Sequence, residues 1–230
     1  MTFFDLDETG RGLDRVLNFS DGVFAIAITL LVLAFHVPNL HGDNLNHRLL
    51  DALLSQGSLL IGFAISFFAI ARLWMAHHRL TLVLRRLNTR FIALNLLFLA
   101  FVVFLPFPTA IVGLYGGTTT GVVFYAVALS ITTTMSTTVW TYAFRAGLVD
   151  DHAPPGLVRQ GWMRSGFLIL VFGISIPVAF VSPGNAELVW LLLFAQALIP
   201  ARFWGSDETS APTRSRHPNS DPGAPDHAAS

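Results

Sequence analysis

Apolar residues in this chain fall into six long blocks, at about 16–37, 50–72, 91–114, 119–143, 163–181 and 186–203. Each is close to the roughly 20 residues that, at about 1.5 Å per helical residue, carry a chain across the hydrocarbon core of a bilayer. The blocks are apolar around the whole circumference of a helix, which predicts spanning helices rather than amphipathic ones. The first ends at Pro38 and a polar loop from Asn39 to Arg48. The second continues as a helix through Trp74–Arg79, and the third contains Pro106 and Pro108 and closes at Tyr115-Gly116-Gly117. The fourth is rich in threonine and serine; the fifth contains Pro177 and ends at Pro183-Gly184. The expected fold is therefore an all-α integral membrane protein with six transmembrane helices.

Composition strengthens that reading and removes several chemistries. Of 230 residues, 53% are hydrophobic and only 12% charged, about half the charge of a typical soluble domain. The absence of cysteine excludes disulfides, thiolate metal sites and cysteine nucleophiles. All fixed cations are arginine, since there is no lysine, which excludes Schiff-base chemistry and a P-loop lysine. The formal net charge of zero gives no reason to expect a nucleic-acid partner. No His-Glu-x-x-His or Gly-x-Ser-x-Gly occurs, so an enzyme is not expected. The lysine-free, arginine-rich usage points to a GC-rich bacterial genome.

Arginine placement sets the orientation. The connection after the second block holds Arg79, Arg85, Arg86 and Arg90, and the one after the fourth holds Arg145, Arg159 and Arg164. Arg11 and Arg15 precede the first block, and Arg202, Arg214 and Arg216 follow the last. The first-to-second connection has only Arg48, and the remaining two have none. With six spans every basic segment lies on one side, so both termini are expected in the cytoplasm of a cell-membrane protein. Residues 1–15 are read as a cytoplasmic N-terminus and 16–203 as the transmembrane domain. Met1–Gly10 lacks a basic n-region, so the first block is expected to stay in the mature protein. Residues 205–230, poor in large apolar side chains, are read as a disordered cytoplasmic tail.

The first block is entered through Arg15 and carries Asn18, Ser20 and Asp21 in its opening turns. Polar and ionisable groups in a membrane helix are costly unless they face protein or water, so this helix is placed centrally in the bundle. Ile26, Leu30 and Leu33 recur at spacings of four and three and share a face, with Thr29 beside them. In the second block Trp74 and His77 lie three apart, and the shared entry side puts His77 within reach of Asp21 or Ser20. His77 and His78 point about 100° apart on a helix, which does not suit a shared metal; no metal site or cofactor is expected. Asn95 reads as an interhelical hydrogen-bonding group, and the run Thr132–Thr138 as small-residue helix packing. The stretch Ile111-Val-Gly-Leu-Tyr-Gly-Gly117 has the outline of a potassium-filter sequence, but the inserted Leu114 breaks its ring of carbonyls, and it reads as a helix stop.

The motif Arg15-x-x-x-Phe19-Ser20-Asp21, followed at once by a long aliphatic helix, resembles the signature of the TMEM175 (DUF1211) family of potassium channels. The resemblance extends to Trp74-x-x-His77, to Asn95 and to the Pro-Phe-Pro-Thr end of the third block, covering roughly residues 10–203. It implies a homotetramer in the lipid bilayer whose pore is lined by the first helix of each subunit. Ile26, Thr29, Leu30 and Leu33 would face that pore, with aliphatic side chains rather than carbonyls forming the filter. Arg15, Phe19, Ser20 and Asp21, with Trp74 and His77, would hold the helix at its rotation. The permeant ion would be K+, possessed of a weaker hydration shell than Na+, and selectivity would be modest. A proton-coupled secondary transporter using Asp21 and His77 is the alternative that the residues leave open.

Overall fold

The computed structural model describes residues 11–41, 43–153 and 156–193. Among these the regular elements are helices, five of them long and apolar enough to cross a membrane. The first is α1 (Arg11–Leu30), which tightens into a 3-10 turn over Leu31–Ala34 before Pro38. Such tightening is common where the last carbonyls of a helix lack partners.

The second apolar block divides in two. A short helix α2 (Leu45–Leu54) precedes α3 (Gly57–Val83), so the span begins at Gly57 rather than at residue 50 and runs beyond residue 72 to Val83. The reason is polar content: Asn46, His47, Arg48 and Asp51 all lie on α2, and Asp51 is too costly to place in hydrocarbon. His47 and Asp51 pair across one turn at 3.0 Å. Gln56 Oε1 accepts from the His36 backbone N–H at 3.1 Å, tying the end of the first span to the start of α3.

The third span is broken into α4 (Thr89–Phe104) and α5 (Pro106–Tyr115). Proline cannot donate to the helical ladder and its ring crowds the preceding turn, so Pro106 starts a new segment. Asn88 caps α4, its side chain accepting from Phe91 N–H at 2.8 Å. Gly113 lets α5 approach α3 closely, since a Cβ there would stand 2.6 Å from Leu59 Cδ2 and 3.1 Å from Leu59 Cα. Ser58 donates to the Gly113 carbonyl across this contact at 2.8 Å. The Ile111–Gly117 stretch is thus the packed end of α5 followed by a turn.

Helix α6 (Thr119–Arg145) is the spine of the bundle, packing along α7 (Leu157–Val181) and against α4 and α5. Helix α1 lies on α4 and α3. The short α8 (Pro183–Val189) folds back on α7 and α6 and starts the sixth block, most of which lies outside the described residues. The tail over 205–230 lies outside them as well. A fully buried aromatic cluster of Tyr125, Phe172 and Trp190 joins α6, α7 and the residues after α8, with Tyr125 and Trp190 ring centroids 4.8 Å apart. The hydroxyls of Thr109, Ser66 and Tyr125 are linked in succession at 2.8 Å each, satisfying three polar groups in the interior.

The two arginine-rich connections meet at one end of the bundle. Leu84 and Val149 form an antiparallel bridge. Arg85 N–H donates to Leu148 O and Asp150 N–H to Val83 O, both at 2.8 Å. The Arg85 guanidinium pairs with the Asp150 carboxylate.

Candidate functional site

Helix α1 has two faces of opposite character. Phe24, Ala27 and Leu31 are buried against α3 and α4, with Ser20 beside them. The opposite face is uncovered among the described residues: Ile26 is 57% exposed and Leu33 71%, and Thr29 lies between them. Leu30 is half-buried at the margin of that face. The uncovered line continues toward the N-terminus through Gly22, Phe19, Asn18 and Arg15. Thr29 donates to the Ile26 carbonyl at 2.9 Å, so its hydroxyl proton is satisfied within the helix. A large aliphatic stripe in mid-helix, with a threonine layer and a polar end, is therefore left uncovered by the described residues.

The buried face is fixed by a directional hydrogen-bond chain. Ser20 Oγ donates to the Val16 carbonyl at 2.9 Å. It accepts from Asn95 Nδ2 of α4 at 3.0 Å. Asn95 Oδ1 in turn is 2.9 Å from His77 Nε2 of α3. With the amide N–H spent on Ser20, Asn95 offers an acceptor to His77, which places the imidazole proton on Nε2. His77 is packed against Phe98 at 5.9 Å, nearly parallel, and against Phe24 at 5.7 Å. Three helices are thereby registered through one buried polar path lined by aromatic rings.

Asp21 belongs to a separate contact. Its carboxylate accepts from Trp74 Nε1 at 3.0 Å, on the exposed side of the α1–α3 seam. Trp74 stacks on His78 with ring centroids 5.4 Å apart. The structure thus brings together Ser20 with His77 through Asn95, and Asp21 with Trp74. Arg15 and Phe19 are exposed on the uncovered face and meet no polar partner among the described residues. Arg72, deep in α3, carries the same signal that singles out Asp21, a charge inside an apolar block, yet falls outside the motif. Among the described residues no three His, Asp or Glu side chains gather as a metal site.

Residues 15–106 match the family model described as endosomal/lysosomal potassium channel TMEM175. A potassium channel of Streptomyces collinus is 30% identical over 214 residues, covering 91% of this chain and 97% of that protein. The chain belongs to the TMEM175 family. A second relative, a potassium channel of Chamaesiphon minutus, is 33% identical over 186 residues, covering 77% of this chain and 89% of its own. The crystal structure of a lysosomal potassium-selective channel TMEM175 homolog from Chamaesiphon minutus superposes with a TM-score of 0.67 at 29% identity, covering 81% of this chain and 96% of that one. The TMEM175 match begins at Arg15 and spans α1, α3 and α4, the three helices that the Ser20–Asn95–His77 path joins. This TMEM175 member is a multi-pass membrane protein.

Proposed function

We propose that this protein is a K+-permeable cation channel in which α1 helices from several subunits, four in a homotetramer, surround a central pore in the bacterial cell membrane. The observation that carries the reading is the uncovered face of α1: Ile26, Thr29 and Leu33 are exposed while Ser20, Phe24, Ala27 and Leu31 on the other side are locked into the subunit. A helix so anchored presents one fixed line of side chains to whatever lies outside the subunit. Six spans, with both termini in the cytoplasm, complete the subunit.

A ring of Ile26 and Leu33 side chains, with Leu30 at its edge, would form a narrow apolar constriction. An ion passing it must shed water without receiving replacement ligands, and the penalty is smaller for K+ than for the more tightly hydrated Na+. Selectivity obtained this way is modest, and a small rotation or dilation of α1 gates by dewetting. A neutral ring does not itself choose cations. The carbonyl end of α1 and its 3-10 turn, at the extracellular mouth on this topology, carries the negative end of the helix dipole.

The proton-relay alternative finds no support in the geometry, because Asp21 engages Trp74 whereas His77 engages Asn95. Flux of K+ and Na+ through the purified protein in liposomes, wild type beside Ile26→Asn, tests the proposal. Non-saturating flux that favours K+ and changes with the substitution is expected. Saturable flux that follows a proton gradient would overturn it.

A further inference from the structure

Helix α2, between the first span and α3, has no buried residue among those described. Its 10 residues cover about 15 Å, half the hydrocarbon core, so α2 is too short to cross a membrane. Its side chains are nonetheless sorted by direction. At about 100° per residue, Ala52, Leu45, Leu49, Leu53, Leu50 and Leu54 follow one another around an arc of about 200°. Asn46 alone interrupts that arc, and His47, Asp51 and Arg48 fill the remaining sector. All five leucines are at least 43% exposed. The charged groups are engaged locally: His47 pairs with Asp51 at 3.0 Å, and Arg48 donates to the His41 carbonyl.

The level of α2 relative to a bilayer follows from its neighbours. Only Ser55 and Gln56 separate its last residue from Gly57, where the α3 span begins. Gln56 also accepts from the His36 backbone N–H, just beyond the end of the first span. The hydrogen bond from Ser58 to the Gly113 carbonyl sets the start of α3 beside the end of α5. There Tyr115 is 61% exposed, and tyrosine is enriched where hydrocarbon gives way to water. A tether of two residues therefore holds α2 at that boundary.

The leucine arc also bears on what covers it. A stripe of about 100° is enough to seat a helix against protein. Leucines spread over about twice that width suit a surrounding apolar medium, and the abrupt change to three charged positions suits water beyond it. We infer that α2 is an interfacial helix whose partner is the lipid surface itself. It lies in the headgroup region at this end of the bundle, with the leucine arc on acyl chains and His47, Asp51 and Arg48 toward water. Through Gln56 and His36 it ties the hairpin between the first span and α3 to the membrane surface. The assignment is independent of the pore and stands whichever way the protein is oriented in the bilayer.

The chain contains no cysteine, so single cysteines can be introduced without background. Nitroxide labels on Leu49→Cys, Leu53→Cys, His47→Cys and Asp51→Cys test the inference in the full chain, reconstituted into vesicles of phosphatidylcholine and phosphatidylglycerol. Their collisions are measured with oxygen, which concentrates in hydrocarbon, and with a water-soluble nickel chelate. Relative to nickel, oxygen should reach labels at 49 and 53 several-fold more than labels at 47 and 51. Equal nickel access at all four positions would place α2 in water and overturn the inference. Labels at 49 and 53 shielded from both reagents would mean that protein, a second subunit or another segment of this chain, covers the leucines, and would overturn it equally. All four positions are exposed and each substitution removes at most one surface ion pair, so the variants keep the fold. Depth gives a second reading: a fluorophore on Leu53→Cys should be quenched more by lipids brominated near the headgroup than by lipids brominated at the chain end. The reverse order would sink α2 into the middle of the bilayer and overturn the interfacial placement.

Discussion

Asn95 bridges Ser20 and His77, donating from Nδ2 to the serine at 3.0 Å and accepting at Oδ1 from the imidazole at 2.9 Å. One amide thereby sets the rotation of α1 against both α3 and α4. Asn95→Leu leaves both neighbours buried without that partner, at a cost of about 1–3 kcal/mol for each unpaired group. A lowered melting temperature is expected, with altered K+ flux in the fraction that still folds. A melting temperature equal to wild type would show that the rotation of α1 is held elsewhere.

Trp74 and Asp21 make the second anchor, on the exposed side of the same seam. Trp74→Phe keeps the ring stacked on His78 while removing the donor, so it should cost only about 1 kcal/mol, the size of one solvent-accessible hydrogen bond. If this contact helps fix α1 in a pore, flux will shift more than stability does. Asp21→Asn should act in the same direction, and paired melting and liposome-flux measurements separate the two effects.

Ile26, Thr29 and Leu33 form the uncovered line of α1. On the proposed pore, asparagine at residue 26 would supply a ligand for ions and water where the wild-type side chain has none, so the proposed K+ preference should fall and basal leak should rise several-fold. Leu30→Asn, at the half-buried margin, should have a smaller effect on selectivity and a larger one on stability. A reversed order would rotate the pore-facing line toward Leu30.

Gly113 sits where any side chain meets the backbone of α3 at Leu59. Gly113→Ala forces the two helices apart and is expected to destabilise the subunit by about 1–3 kcal/mol, the usual range for overpacking. Gly117, whose added Cβ meets nothing within 4 Å, provides the control. Thermal unfolding in detergent reads both.

Asp150, in the connection after α6, is held at about 2, down from its ordinary value of 3.8, by the His152 backbone N–H and by Arg85. A carboxylate with a depressed folded-state value stabilises above its unfolded value and loses that contribution as the pH falls through the folded one. The clasp between the α3–α4 and α6–α7 connections should therefore be at full strength above about pH 3.8 and weaken toward pH 2. Asp150→Asn should flatten the acid limb of a stability profile between those values and leave it unchanged at neutral pH apart from a constant offset.

Much of this architecture is written in one dimension. Block lengths near the thickness of a bilayer determine that these segments are membrane helices, because only internally hydrogen-bonded segments tolerate hydrocarbon. The cost of burying polar groups in lipid likewise marks Ser20, Asp21, His77 and Asn95 as facing protein or water before any coordinates are known. That same cost, applied to Asp51, explains why α3 starts at Gly57, a boundary that hydropathy alone blurs.

Pairing is what the linear pattern leaves open. Periodicity gives the residues of one helix face but not which neighbour that face meets, so His77 is equally compatible with Asp21, Ser20 or Asn95 until α4 is set beside α1 and α3. The same holds for Leu30, which shares a stripe with Ile26 and Leu33 by spacing and is turned toward its margin by the packing of α1. Arg164 lies far along the chain from Arg72 and Arg79, and only the packing of α7 and α6 near α3 gathers them around one cavity. The sequence by itself determined the all-α membrane class and five of the spans; the tertiary structure decided the partners, because side-chain contacts between helices depend on rotation and register that a local pattern does not encode.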